Sequence, residues 1–118
     1  MNYDNFFLPA DNLAKAREYY QKLGLSIKFD FSDRGMLAFK VGGQEPAIIL
    51  KDTHTFPDTK PTIWFVVDSV VDEYKTLKSK GITFLSEPFE INTGLAVESD
   101  DPFGNRLGIT DYSKKKSN

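Results

Sequence analysis

The sequence has no cysteine. That excludes a disulfide framework, a thiolate nucleophile and a thiolate metal centre, and it suits a reducing cytosol. Histidine is almost missing too, with His54 as the single example. No apolar run approaches the length of a membrane span. The opening Met1-Asn2-Tyr3-Asp4-Asn5 lacks the basic start and apolar core of a signal peptide. A cytoplasmic location with no membrane partner is therefore expected. No glycine-rich loop precedes a helix in phosphate-cradling form. Positive charge is scarce as well. The formal net charge is -2, and three of the fifteen basic residues are Lys114, Lys115 and Lys116. Twelve basic against seventeen acidic residues leave the rest at -5, which is no electrostatic footprint for nucleic acid. Residues 113–118 read as a solvated, disordered tail.

What is present fits one domain of modest core. The chain has 118 residues, 40% hydrophobic and 27% charged, which is ordinary globular composition. The strongest organising signal is a repeat. The stretch from Asp11 through Leu25 matches the stretch from Asp68 through Ile82 at an offset of 57 residues, without a gap. Each copy opens on capping residues, Asp11 or Asn12 in one and Ser69 in the other. Leu13, Ala16, Tyr20 and Leu23, then Val70, Tyr74 and Leu77, recur at helical spacing. Gly24 and Gly81 close the two helices, as suits the left-handed C′ position.

Strand-like runs flank each helix. Phe6 to Leu8 and Ile63 to Val67 precede the helices. After the first come Ser26 to Phe31, Met36 to Val41 and Ala47 to Leu50; after the second come Thr83 to Leu85, Leu95 to Glu98 and Arg106 to Asp111. The fold class expected is α+β, built from two β-α-β-β-β units, 3–52 and 61–112. Residues 51–61 read as the loop between them. Strand alternation then assigns faces. Ile63, Phe65 and Val67, with Leu107, Ile109, Phe6 and Leu8, form apolar sets that should pack under the helices. Asn5, Phe7, Thr62, Trp64, Arg106 and Gly108 fall on the other face. A polar and aromatic mix of that kind reads as the lining of a ligand cavity.

The repeat, the helix segments and the closing Asp101-Pro102-Phe103-Gly104-Asn105-Arg106-Leu107 together resemble the glyoxalase, bleomycin-resistance and extradiol-dioxygenase proteins, the vicinal oxygen chelate superfamily. The resemblance runs from about Asn5 to about Tyr112. It implies a cup-shaped mixed sheet with helices on its outer face, a homodimer, and a small-molecule ligand inside the cup. It also implies a divalent metal in the enzymatic members, held by His or Glu on the first, fourth, fifth and eighth strands. By spacing those four positions fall here on Asn5, Ile49, Thr62 and Gly108. Isoleucine and glycine offer no side-chain donor, threonine is a poor ligand, and asparagine is weak and neutral. No metal or other cofactor is expected.

Other candidates carry open alternatives. Trp64 and Phe7 read as aromatic walls for a ligand, or Trp64 as core filling. Phe103 stands in the turn at the rim, and Phe89 on a segment next to Pro88. Arg106 reads as an anchor for a carboxylate or a ring, or as a surface arginine. His54 reads as a polar loop residue, and Glu45, Glu90 and Glu98 as surface carboxylates. The leading functional expectation is a metal-free protein that sequesters an aromatic or bulky apolar compound. The alternatives are a glyoxalase-like lyase or isomerase, or a dioxygenase, with a displaced metal, and a non-catalytic interaction domain.

Overall fold

The computed structural model describes residues 1–114. Its described residues form two α-helices and eight β-strands. They are β1 (Asn2–Ala10), α1 (Leu13–Lys22), β2 (Ser26–Phe31), β3 (Met36–Lys40), β4 (Ile48–Asp52), β5 (Thr62–Val66), α2 (Val70–Ser79), β6 (Phe89–Ile91), β7 (Gly94–Asp100) and β8 (Arg106–Thr110). The α+β class and the repeated β-α-β-β-β plan are both present. Contacts divide the chain into two compact units, Asn5–Thr62, and Ile63 onward together with Met1–Asp4.

Both helices begin and end as their sequences dictate. The Asn12 side chain accepts from the Lys15 N–H at 3.0 Å, and the Ser69 hydroxyl from the Asp72 N–H at 3.2 Å. Each cap satisfies one of the donors a helix start leaves unpaired. At the other end Gly24 and Gly81 have φ of 99° and 94°. Their N–H groups donate to Gln21 and Lys78, and the following Leu25 and Ile82 reach back to Tyr20 and Leu77. These paired bonds form the Schellman closure, which needs a residue free of Cβ strain at C′.

In the first unit the strand order is β2-β3-β4-β1. β1 runs parallel to β4, while β3 is antiparallel to both β2 and β4. Leu37, Phe39 and Leu50 are fully buried under Leu13, Ala16 and Tyr20 of α1, with Leu8 and Ile27 beside them. Tyr20 stacks on Phe39 with ring centroids 5.3 Å apart. In the second unit the order is β5-β8-β7-β6. Val70, Val97 and Ile109 form its core, joined by Val67, Tyr74, Leu77, Phe84 and Leu95.

Two expectations about the strands are corrected. Thr83 to Leu85 is not a strand: Phe84 makes a lone bridge to Ser99, and the strand is Phe89–Ile91, registered on β7 with Phe89 opposite Ala96. Phe84 instead gives its ring to Tyr74 of α2, at 4.9 Å. Ile63 is exposed rather than packed under α2, whose core partners come from β7, β8 and the residue after β5. Residues 53–56 belong with the first unit: Thr53 donates to Ala10, and Phe56 to Asp52. Residues 1–4 cluster with the second unit, where Tyr3 stacks on Phe65 at 5.8 Å and the Tyr112 hydroxyl donates to Asp4. Of the expected tail, Ser113 and Lys114 are hydrogen-bonded to Asp111, Thr93 and Glu90, while 115–118 lie outside the described residues.

Candidate functional site

In each unit one sheet face lies under a helix and the other does not. The helix-free face of the first unit carries Asn5, Phe7, Ala38, Ile49 and Lys51. Register fixes this set: Phe7 pairs with Ile49 across β1 and β4, and Ile49 pairs with Ala38 across β3. Leu8, Leu37 and Leu50 point the other way, into the core. The Asn5 side-chain oxygen accepts from the Ala47 N–H at 2.9 Å. It therefore serves to tie β1 to the entry of β4. Ile49 is buried. Phe7 is half-buried, and its ring lies 5.0 Å from the Lys51 ammonium. That ammonium also lies 4.4 Å from the Phe56 ring.

The helix-free face of the second unit carries Trp64, Ala96, Glu98, Asp100, Arg106, Gly108 and Thr110. The pairs across β7 and β8 are Ala96 with Thr110, Glu98 with Gly108, and Asp100 with Arg106. Trp64 is 8% exposed, and its indole rests on the backbone of Gly108. A Cβ at 108 would overlap Cδ2, Cε2 and Cε3 of that ring. The indole thus occupies the space that any side chain at 108 would need. Arg106 grips Asp100 with two bonds, Nε at 2.9 Å and Nη2 at 3.2 Å. This forked pairing fixes the guanidinium plane.

Thr62 is buried, and its hydroxyl donates to the Lys60 carbonyl at 2.8 Å. Phe103 is 85% exposed at the tip of the turn before β8. Asp101 builds that turn: its carboxylate accepts from the N–H groups of Phe103 and Asn105 and from the Asn105 amide. These bonds, from Asn105 first, hold its carboxyl below the usual range. Phe89 is half-turned to solvent on β6, at 41% exposure. His54 is exposed, and its N–H donates to the Asp52 carboxylate. Glu90 pairs with Lys114 at 2.8 Å, which lowers its pKa.

The resemblance implies a divalent metal at Asn5, Ile49, Thr62 and Gly108, and the residues present do not fit one. The Asn5 oxygen is used by Ala47, the Thr62 hydroxyl by Lys60, and Ile49 is hydrocarbon. At Gly108 an aromatic ring fills the side-chain space. Among the described residues no group of three or more His, Asp or Glu is placed to hold a metal ion.

Sequence reasoning did not bring Lys51 and Phe56 together on the Phe7 side of the sheet. Both fell in the stretch read as a joint between units. The signal was the alternation itself: Ile49 and Lys51 are two apart, so extending the strand by two residues puts Lys51 on the Ile49 face.

The fold is shared with solved structures of known proteins. NAD-dependent benzaldehyde dehydrogenase from Legionella pneumophila is similar at a TM-score of 0.75 and 19% identity, over 92% of this chain and 97% of that one. Methylmalonyl-CoA epimerase from Mycobacterium tuberculosis gives 0.69 and 17%, over 93% and 87%. A glyoxalase/bleomycin resistance protein/dioxygenase superfamily member from Vibrio splendidus gives 0.67 and 13%, over 90% and 95%. At such identities the likeness speaks for the fold alone. No curated protein sequence matches the chain. No helix among the described residues is long and apolar enough to cross a membrane. A family model matches residues 2–109, and the chain accordingly belongs to the Glyoxalase/Bleomycin resistance protein/Dioxygenase superfamily.

Proposed function

We propose that the chain is a metal-free small-molecule binding protein that holds an aromatic or bulky apolar compound by sequestration. One observation carries the reading: at Gly108, where the resemblance puts the eighth-strand metal ligand, the indole of Trp64 lies on bare backbone. Chemistry of the family's usual kind needs a Lewis-acidic metal and a nearby base. Here the corresponding positions are a hydrocarbon, an aromatic floor and two locally satisfied polar groups. Phe7 and Ile49 in one unit and Trp64 in the other offer area burial and stacking in place of that chemistry. A homodimer in a reducing cytosol completes the reading, on the strength of the resemblance and the absent cysteines.

The test is direct, because Trp64 is the only tryptophan. Planar antibiotics and aromatic metabolites are titrated against its emission, with turnover followed in parallel. Saturable quenching without turnover is expected, and no transition metal should copurify at one per chain. Trp64→Ala should weaken binding on the order of tenfold to a hundredfold, the scale of about 1–3 kcal/mol for one large aromatic contact. Stoichiometric metal, or turnover of a glyoxalase or catechol substrate, would sink the reading. Light scattering that gives a monomer at micromolar concentration would remove the dimer.

A second reading has one specific observation behind it. Glu98 is the cross-strand partner of Gly108 on the same face. Opposed residues in an antiparallel pair stand about 5 Å apart. A carboxylate is thus next to the position where the family's would be, which favours a lyase or isomerase with a displaced base. Loss of a measured turnover in Glu98→Gln, with ligand binding retained, would select this reading over sequestration.

A further inference from the structure

The second strand breaks its own alternation. Ile27 of β2 pairs with the core residue Phe39, but Phe29 pairs with Ala38 and Phe31 with Met36. The register shifts between Ile27 and Phe29, which leaves Lys28 as the extra residue of a bulge. A bulge re-aims the side chains that follow it. Unbroken alternation would put Phe29 and Phe31 with Ile27, under α1. Asp30 takes that side instead, where its carboxylate meets Arg17 of α1. Both rings then stand on the helix-free face, where Phe29, Ala38, Ile49 and Phe7 form one row across four strands.

The two rings lie together, with centroids 5.0 Å apart. The guanidinium of Arg34 sits 5.3 Å from the centre of the Phe31 ring. The turn that carries Arg34 is fixed at both ends. The Ser32 N–H donates to the Asp30 carboxylate at 2.9 Å, and the Gly35 N–H donates to the Ser32 carbonyl at 3.1 Å. Gly35 closes the turn at a φ of 86°, which suits glycine.

Charge is sorted by face in the same way. Asp30 pairs with Leu37, and Asp52 lies two residues past Leu50, so both carboxylates of β2, β3 and β4 share the helix side. Lys40, two residues past Ala38, is on the other side. Among the described residues Arg34 forms no ion pair, and its aromatic contact is Phe31. A ring face positions a cation without neutralising it. Phe31 is 41% exposed and Arg34 is exposed, so the pair is open to solvent.

We propose that Phe29, Phe31 and Arg34 form a binding surface of the first unit for planar organic anions such as aromatic carboxylates. The rings stack on the ligand, and the guanidinium fork pairs with its carboxylate. This rests on the small-molecule binding proposed above and names where the first unit engages the ligand.

Two probes with one ring system test it, 2-naphthoate and 2-naphthylmethanol. Each is titrated calorimetrically into the full chain and its Arg34→Gln and Phe31→Leu variants. Amide signals of the nitrogen-15-labelled wild type are followed in parallel. Wild type should prefer the acid by about tenfold or more, the order of a charge-assisted hydrogen bond. The acid should also move the amide signals of residues 29–35. Arg34→Gln should erase the preference and leave alcohol binding within about twofold. Phe31→Leu should weaken both probes alike, by about twofold to tenfold. A preference that survives in Arg34→Gln would overturn the inference, as would Phe31→Leu binding both probes as wild type does. Signals of 29–35 that stay still while the acid binds would overturn it without any variant. So would acid and alcohol binding wild type equally well, and that result would spare the binding function. Neither probe binding would also overturn it, and the Trp64 titration above then decides the binding function by itself.

Discussion

In the first unit β4 ends at Asp52; in the second, β8 runs into Asp111 at the matching place. The match is set by the backbone: the Asp52 N–H donates to Gly35 and the Asp111 N–H to Leu95, each one step before the neighbouring antiparallel pairs. The two carboxylates then diverge. Asp52 is half-buried and accepts from His54 and, at 3.5 Å, Thr55, both within its own turn. Asp111 is 2% exposed and accepts from the Val70 N–H at 2.8 Å, the Leu95 N–H at 3.0 Å, and the Ser113 N–H and hydroxyl. It thus joins the first turn of α2, the start of β7 and the end of β8. Even the neighbouring glycine answers to it, since a Cβ at Gly94 would overlap the Asp111 carboxylate. The Asp52 bonds stay within one turn. The first unit's core is filled by Phe39 stacked on Tyr20, where the second unit's core holds the smaller Val97. One plan of strands is therefore held by apolar volume in both copies, with a buried carboxylate added in the second.

The largest effect should come from breaking the aromatic side of this comparison. Phe39→Ala should cost about 3–5 kcal/mol, and Val97→Ala about 2–3 kcal/mol, because the cavity left is larger in the first case. Urea unfolding midpoints measure both. Similar losses at the two sites would show that core volume does not separate the units.

The next contrast is Asp111→Ala against Asp52→Ala. The former strands the buried Val70 donor and the part-buried Leu95 donor, each worth about 1–3 kcal/mol, and should cost about 3 kcal/mol in all. Asp52→Ala should cost about 1 kcal/mol or less, since its donors can turn to water. Equal costs would erase the distinction.

Acidity sharpens the same point. Burial alone would raise the Asp111 pKa, but the N–H groups of Val70 and Leu95 and the Ser113 hydroxyl together hold it below the ordinary carboxylate value. A depressed folded pKa gives stability that is full above the unfolded value near 3.8 and lost as pH falls through the folded one. Acid unfolding of wild type should therefore steepen below that value, and Asp111→Asn should flatten it. At the alkaline end, burial and Asp4 push Tyr112 above its ordinary value of 10.0. A raised folded pKa gives stability lost as pH rises past that value, and Tyr112→Phe should remove this loss. Wild type and variant falling in parallel at either end would count against the assignment.

The smallest difference is expected where the units agree. Asn12→Ala and Ser69→Ala should each cost about 1 kcal/mol, as caps of one kind at helices of one length. A much larger loss at Ser69 would mean that its cap and the Asp111 bond to the same helix start act together.

Local chemistry was legible in the sequence wherever one segment supplies both partners. Asn12 with Lys15, Ser69 with Asp72, Gly24 with Gln21 and Gly81 with Lys78 are all within four residues of each other. So is the Asp101 turn with Phe103 and Asn105. The Thr83 to Leu85 run was misread because its composition suits a strand, whereas pairing depends on which segment β7 meets in space. Of the candidate site, alternation put Phe7, Trp64, Arg106 and Gly108 on the faces that lie away from the helices. It said nothing of what those side chains touch.

The resemblance singled out Asn5, Ile49, Thr62 and Gly108 as the metal positions, and the sequence by itself determined the repeat, the helix limits and most of the sheet faces. These last three follow from residue type and periodicity, which are local properties. Only the tertiary structure decided that Trp64 fills the space above Gly108, that Arg106 is taken by Asp100, that Phe7 and Phe56 clasp Lys51, and that Asp111 anchors α2. The Asp111 bond to Val70 spans 41 residues, and Phe56 and Phe7 come from different segments. Contacts of that kind depend on strand register and chain reversal, which no local pattern records.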